Sequence, residues 1–191
     1  MATPVTHAVA ALALGSPWYQ RTISKRVWFA AMLSSAVPDL DAIGFRFGIH
    51  YEDFWGHRGF THSLAFAALL AATVALVLRP IGISRVSLFT YLFIATASHE
   101  LLDGMTNGGF GVAFFAPFDN HRYFLPWRPI RVSPIAVSRF FSPRAIAIVR
   151  TELLWVWLPS VVFAAVVLLM RRKFGPVFAD NANRVGAGNR T

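Results

Sequence analysis

Five apolar stretches divide the chain, and ionisable residues cluster at their ends. They run over residues 7–15 (HAVAALALG), 27–37 (VWFAAMLSSAV), 62–78 (HSLAFAALLAATVALVL), 86–102 (VSLFTYLFIATASHELL) and 153–170 (LLWVWLPSVVFAAVVLLM). Each predicts a helix. Pro38 ends the second, Arg79-Pro80 the third and Arg171–Lys173 the fifth. A helix crossing hydrocarbon needs about 20 apolar residues. The last three stretches come close with their flanks. The first two are too short, and they read as half-buried or partly re-entrant helices packed on protein. The predicted fold is therefore all-α: a polytopic helical membrane protein, some of whose helices fall short of a full span.

Residues 1–173 read as one helical membrane domain without internal repeats. Within it, 104–151 form a long connection rich in Pro, Gly, Phe and Arg. Connections of that length are functional or disordered, and the aromatic content argues for function. Residues 174–191 read as a flexible polar tail.

Composition agrees. The chain is 55% hydrophobic and 14% charged, against about 25% charged in an ordinary soluble domain. Mean hydropathy is +0.51. There is no cysteine, so a disulfide framework and thiolate metal ligands are excluded. The net charge of +9 would suit nucleic acid, but the basic residues are scattered and flank apolar runs. Membrane topology and anionic headgroups explain them better. The expected partner is the lipid bilayer rather than nucleic acid.

If successive stretches alternate direction, the polar ends sort by side. All six histidines and eight of the nine acidic residues then fall on one side. The other side carries ten of the eighteen Lys and Arg and a single acid, Asp180. Lys and Arg counts in short loops place the tail in the cytoplasm. The histidine side then faces outward, towards the periplasm in a Gram-negative cell.

Several motifs on that side have ligand-like spacing. In SHELLDG, His99 and Asp103 stand at i and i+4 and share one helix face. A helix gives two ligands to one metal in this way, although a His–Asp hydrogen bond at a helix end has the same spacing. Glu100 points to a different face. In PDLD, Asp39 and Asp41 can face the same way from an extended turn. Paired carboxylates repel unless one is protonated or a cation lies between them.

In HRGFTHS, Gly59 permits a bend and Thr61 is the expected N-cap, putting His62 in the first helical turn and His57 in the preceding turn. Arg58 is suited to clamp a phosphate. Thr6-His7 repeats the Thr-then-His pattern. Glu152 opens the last apolar stretch as a capping acid or a ligand. In FDNHRYFLPWRP, an aromatic and basic loop, Arg122 is the best substrate contact. No G-x-S-x-G nucleophile motif is present, so a metal-activated water is the expected nucleophile.

Together, PDLD, HRGFTHS and SHELLDGMTNGG, with an early Thr-His and a late acid, resemble the YdjM family of predicted inner-membrane metal-dependent hydrolases. The resemblance runs from His7 to the last helix. That family is distantly similar to zinc-dependent phospholipase C and the S1/P1 nucleases. The resemblance implies a ligand set drawn from His7, Asp39, Asp41, His57, His62, His99, Asp103 and Glu152. It also implies two or three divalent ions, zinc by kinship, and a phosphoester substrate such as a phospholipid. The further His and Glu ligands of the phospholipase C pattern have no counterpart here. The competing expectation is a non-catalytic membrane protein with a structural or sensory metal site.

Overall fold

The computed structural model describes residues 1–20, 23–78, 82–134 and 144–175. The helices are α1 (Pro4–Leu14), α2 (Lys25–Ser34), α3 (Leu64–Val77), α4 (Arg85–Gly104) and α5 (Arg144–Phe174). A run of 3-10 turns, Val37–Phe47, follows α2, and a shorter one, Phe60–His62, precedes α3. Among the described residues there are no strands, only two isolated bridges, Thr106 to Ile130 and Val112 to Tyr123. The protein is all-α, as expected.

Helix α4 is central and packs against α1, α2 and α3. The closest partner is α3, which turns Ala67, Ala71 and Ala75 inward at a spacing of four. Small side chains let two backbones approach, so dispersion contacts hold the pair even where water supplies no hydrophobic drive. Leu88, Leu92 and Ala95 of α4 share this core with Val27 and Ala31 of α2. Tyr91 ties α4 to α1 by donating to the Ala11 carbonyl at 3.1 Å. Helix α5 docks on α1 through a smaller cluster that includes Ala10, Ile130 and Val156.

Among the described residues, α5 is the one helix both long and apolar enough to cross a bilayer. Helix α3 has 14 residues, about 21 Å, short of a hydrocarbon core of about 30 Å. Helix α4 has 20 residues, but its last turns bury Thr96, Ser98, His99, Glu100 and Asp103 against protein. Its second half builds a polar interior rather than a lipid-facing rod.

The fifth stretch differs from expectation in the opposite sense. The helix begins at Arg144, nine residues before the apolar run, and continues through a π-turn at Leu153–Trp157. Pro159 accounts for that turn, since it lacks an N–H and its ring crowds the carbonyl four residues back. Beyond it the helix is lipid-like on most sides; Val161 and Leu169 are 62% and 61% exposed. The predicted tail lies outside the described residues beyond 175.

Candidate metal centre

Four elements converge at the end of α4. Helix α1 brings His7, the 3-10 run after α2 brings Asp39 and Asp41, the loop before α3 brings His57 and His62, and α4 brings His99 and Asp103. All these histidines and Asp103 are buried. The i, i+4 spacing of His99 and Asp103 does place both on the inner face.

Asp39, His62, His99 and Asp103 each offer one atom to a common point. The Nε2 atoms of His62 and His99 are 3.1 Å apart. Asp39 Oδ1 is 3.6 Å from the first and 3.5 Å from the second. Asp103 Oδ2 is 3.9 Å from His62 Nε2. Ligand atoms about 2.0–2.1 Å from a tetrahedral ion lie about 3.3 Å from one another. The four atoms scatter around that spacing.

The outer nitrogens of both imidazoles are already engaged. His99 Nδ1 lies 2.7 Å from the Ser35 carbonyl, which can only accept, so Nδ1 carries the proton and Nε2 faces inward. His62 Nδ1 lies 3.0 Å from Asp41 Oδ2. Such partners fix the tautomer and orientation of a ligating histidine. Both oxygens of Asp39 are buried without a hydrogen bond, whereas Oδ2 of Asp103 is met by the Arg58 guanidinium. Buried unsatisfied carboxylate oxygens are costly, and a cation at the common point would satisfy them. The donor set therefore fits a divalent ion.

Asp41, His57 and His62 form a second group of ligand-type atoms. Their spacing is shorter. His57 Nδ1 to Asp41 Oδ1 is 2.7 Å, and Thr61 donates to Asp41 Oδ2 at 2.6 Å. These are hydrogen-bond distances, and Asp41 is the hub. Its carboxyl also accepts the Arg58 backbone N–H at 3.2 Å.

The charges in this corner stabilise one another. Burial alone would raise the Asp39 carboxyl, but His99 and His62 outweigh it and hold the group well below the usual carboxylate range. Asp41 is likewise depressed by His57 and His62 against its own burial. Burial lowers His57, and Asp41 only partly restores it. His62 is the converse: burial acts to lower it, yet Asp39 and Asp41 raise it to about 9.

The loop geometry departs from the predicted caps. Ser63, not Thr61, caps α3, accepting from the Phe66 N–H at 3.1 Å. His62 ends the 3-10 turn before the helix, and Thr61 turns inward to Asp41. Thr3, not Thr6, precedes α1, and Thr6 lies inside it. Asp39 and Asp41 leave a 3-10 run rather than an extended turn, so they serve adjacent groups instead of one. The bend in HRGFTHS is at Arg58, whose φ is 64°. Gly59 is needed for a different reason: a Cβ there would sit 2.3 Å from the Phe54 carbonyl oxygen.

Both arginines are bound into the protein. Arg58 is fully buried, with Nε 2.9 Å from Asp103 Oδ2. Its other nitrogens donate to the Gly108 carbonyl and the Thr106 hydroxyl, each at 3.0 Å. Arg122 donates to the carbonyls of His57, Tyr51 and Asp53 at 2.7, 2.8 and 3.1 Å. A phosphate contact from either would have to displace these bonds. His7 stacks on His99, with ring centroids 3.7 Å apart and Nε2 3.6 Å from Asp103 Oδ1.

Glu152 stands outside the cluster. It accepts from the Thr3 N–H and hydroxyl, each at 2.6 Å, and from the Thr6 hydroxyl at 2.7 Å. It thus anchors the start of α1, which carries His7. Glu100 is fully buried with neither oxygen hydrogen-bonded, and it belongs to neither ligand group.

Ser35, which orients His99, had no signal in the sequence. Thr106 and Thr61 each lie inside a motif, SHELLDGMTNGG and HRGFTHS, and the structure gives them the roles of holding Arg58 and Asp41.

A family model described as YdjM inner membrane protein matches residues 1–174. Inner membrane protein YbcI of Escherichia coli (strain K12) is 38% identical over 175 residues, covering 90% of this chain and 100% of the relative. No solved structure matches significantly. With a match that runs from α1 to the end of α5, the chain belongs to the YdjM family of inner membrane proteins.

Proposed function

We propose that this protein is a membrane-bound metal-dependent hydrolase of phosphoesters. One observation carries the reading: two imidazoles with their Nδ1 atoms engaged aim Nε2 at a point shared with Asp39 and Asp103. Two imidazole nitrogens with carboxylate oxygens suit zinc among the common divalent ions. Bound there, the ion would lower the pKa of a water towards 7 and polarise a phosphoryl oxygen.

The protein's own groups divide the remaining work. Arg58 balances the charge of Asp103, which leaves Asp39, His62 and His99 as the principal ligands. Three protein ligands leave a fourth position open, the pattern of catalytic rather than structural zinc. Asp41 orients both His57 and His62. His57, its ring centroid 5.2 Å from that of His62, is the best-placed proton acceptor. Arg122 holds the His57 carbonyl and so sets that ring's position. This geometry supports one ion in the first group, with Asp41 and His57 as its supporting shell. The site faces the periplasm in this reading, because Arg171, Arg172 and Lys173 close the far end of α5.

A second reading, a structural or sensory metal site, draws support from burial: His62, His99 and Asp103 are 0% exposed. Hydrolysis assays separate the two. Purified protein with and without a chelator is given a chromogenic phosphodiester and a series of phospholipids. The hydrolase reading expects turnover that the chelator abolishes and zinc restores. It also expects His57→Gln to lower kcat by about 100-fold or more with metal content unchanged. Full metal loading with no turnover of any phosphoester would favour the structural site.

A further inference from the structure

A cavity of about 390 Å³ lies between the start of α1 and the first half of α5. Pro4, Val5, Pro134, Val149, Leu153 and Trp157 form most of its wall. Met1, Thr3, Ser133 and Glu152 complete the lining, with the Glu152 oxygens accepting from Thr3 and Thr6 and the Ser133 hydroxyl donating to the Pro134 carbonyl. The cavity therefore offers little for water to bond, and apolar cavities of this kind exclude water. Val5 and Leu153 are 59% and 44% exposed, so the cavity opens sideways beside the spanning helix.

Its depth in the membrane follows from α5. The apolar run Leu153–Met170 is about 27 Å long, close to the thickness of the hydrocarbon core. Val149 and Leu153 thus stand where hydrocarbon meets headgroups. Two arginines flank that level. Arg150 is exposed one residue from Val149, and Arg131 is drawn to the helix by its backbone N–H donating to Thr151 Oγ1 at 3.1 Å. Neither has an acidic partner among the described residues. An apolar slot beside a level of the helix that carries two arginines without acidic partners suits a negatively charged amphiphile.

We propose that this cavity holds one acyl chain of an anionic phospholipid, with its phosphate between Arg131 and Arg150. The site is distinct from the metal centre and does not depend on it. The full chain is reconstituted, with and without a chelator, in phosphatidylcholine vesicles doped with phosphatidylglycerol bearing an acyl-chain diazirine. Cross-links are then mapped by mass spectrometry. Labelling is expected to concentrate on Pro4–Val5 and Val149–Trp157, in both metal states, and to exceed that from a phosphatidylcholine probe. Arg131→Gln and Arg150→Gln, both at exposed positions, should each cut it about fivefold. Val149→Trp, which fills the cavity, should remove it. Even labelling along the lipid face of α5, including Val161 and Leu169, would overturn the proposal. So would equal labelling by both probes or indifference to the arginine substitutions.

Discussion

His62 is where charge, hydrogen bonding and the proposed ligand role meet, and its titration separates the metal-free state from the loaded one. In the metal-free protein its pKa is raised from 6.5 to about 9 by Asp39 and Asp41. A raised pKa means that this group's stabilisation is complete below about 6.5 and fades as pH rises through about 9. Asp39 and Asp41 are depressed, so their contribution is present above about 4 and fades only in acid. The melting temperature of chelated protein should therefore fall between pH 6.5 and 9. A cation takes the place of the His62 proton, so the loaded protein should not show this decline. Thermal unfolding in detergent across that interval checks both, and a flat chelated profile would contradict the charge pattern.

Arg58 gives a second test at this scale. Removing one partner of a buried ion pair leaves the other charge uncompensated, at a cost of about 3–5 kcal/mol. Arg58→Ala should lower stability by that order, measured by denaturant or thermal unfolding, and a loss near zero would mean that Asp103 is balanced otherwise. Gly109 bounds the same guanidinium. Its φ is +90°, and a Cβ there would come within 2.9 Å of Arg58 Nη1. Gly109→Ala should destabilise the fold in the same assay, although the site's ligands are untouched. The ligand-type residues themselves were legible because spacing and side were informative. Their partners were not, since a backbone carbonyl such as that of Ser35 leaves no mark on residue identity.

Among the elements, α3 and α4 show how far periodicity reaches. Both apolar runs were readable as helices, and the alanines of α3 lie at a spacing of four. What the pattern could not say was whether those helices met lipid or each other. The inward alanines decide it: enlarging one forces the backbones apart. Ala71→Leu should cost about 1–3 kcal/mol in thermal unfolding. The reverse change at an exposed position, Leu76→Ala, should cost little.

Boundaries were the least legible feature. The start of α5 at Arg144 was hidden because its first nine residues include Arg144, Arg150 and Glu152, which broke the apolar run. Likewise, α4 looked like a span because its buried polar face reads as apolar on average. Cap assignment failed for a related reason. Thr61 and Ser63 are both competent caps, and only the inward position of Asp41 settles which hydroxyl is free to do it.

For the whole molecule, the expected sorting of acids and histidines to one side assumed five crossing stretches, and among the described residues α5 alone is long and apolar enough to cross. What the structure brings together is a subset, His7, Asp39, Asp41, His57, His62, His99 and Asp103, which four elements deliver to one place. The proposed periplasmic orientation is open to direct test because the chain has no cysteine. A single cysteine at exposed Phe118 should react with an impermeant maleimide added to intact spheroplasts, and one at exposed Phe174 should not. The reverse pattern would place the site in the cytoplasm.

The proposed function stands on Asp39, His62 and His99 holding a metal ion, with Asp103 beside it paired to Arg58. Metal analysis of the detergent-purified protein, equilibrated with zinc and desalted, tests it most directly. About one tightly held ion per chain is expected in the wild type and none in His62→Ala/His99→Ala, with helical content retained by circular dichroism. A metal-free wild type, or equal metal in the folded double variant, would contradict it.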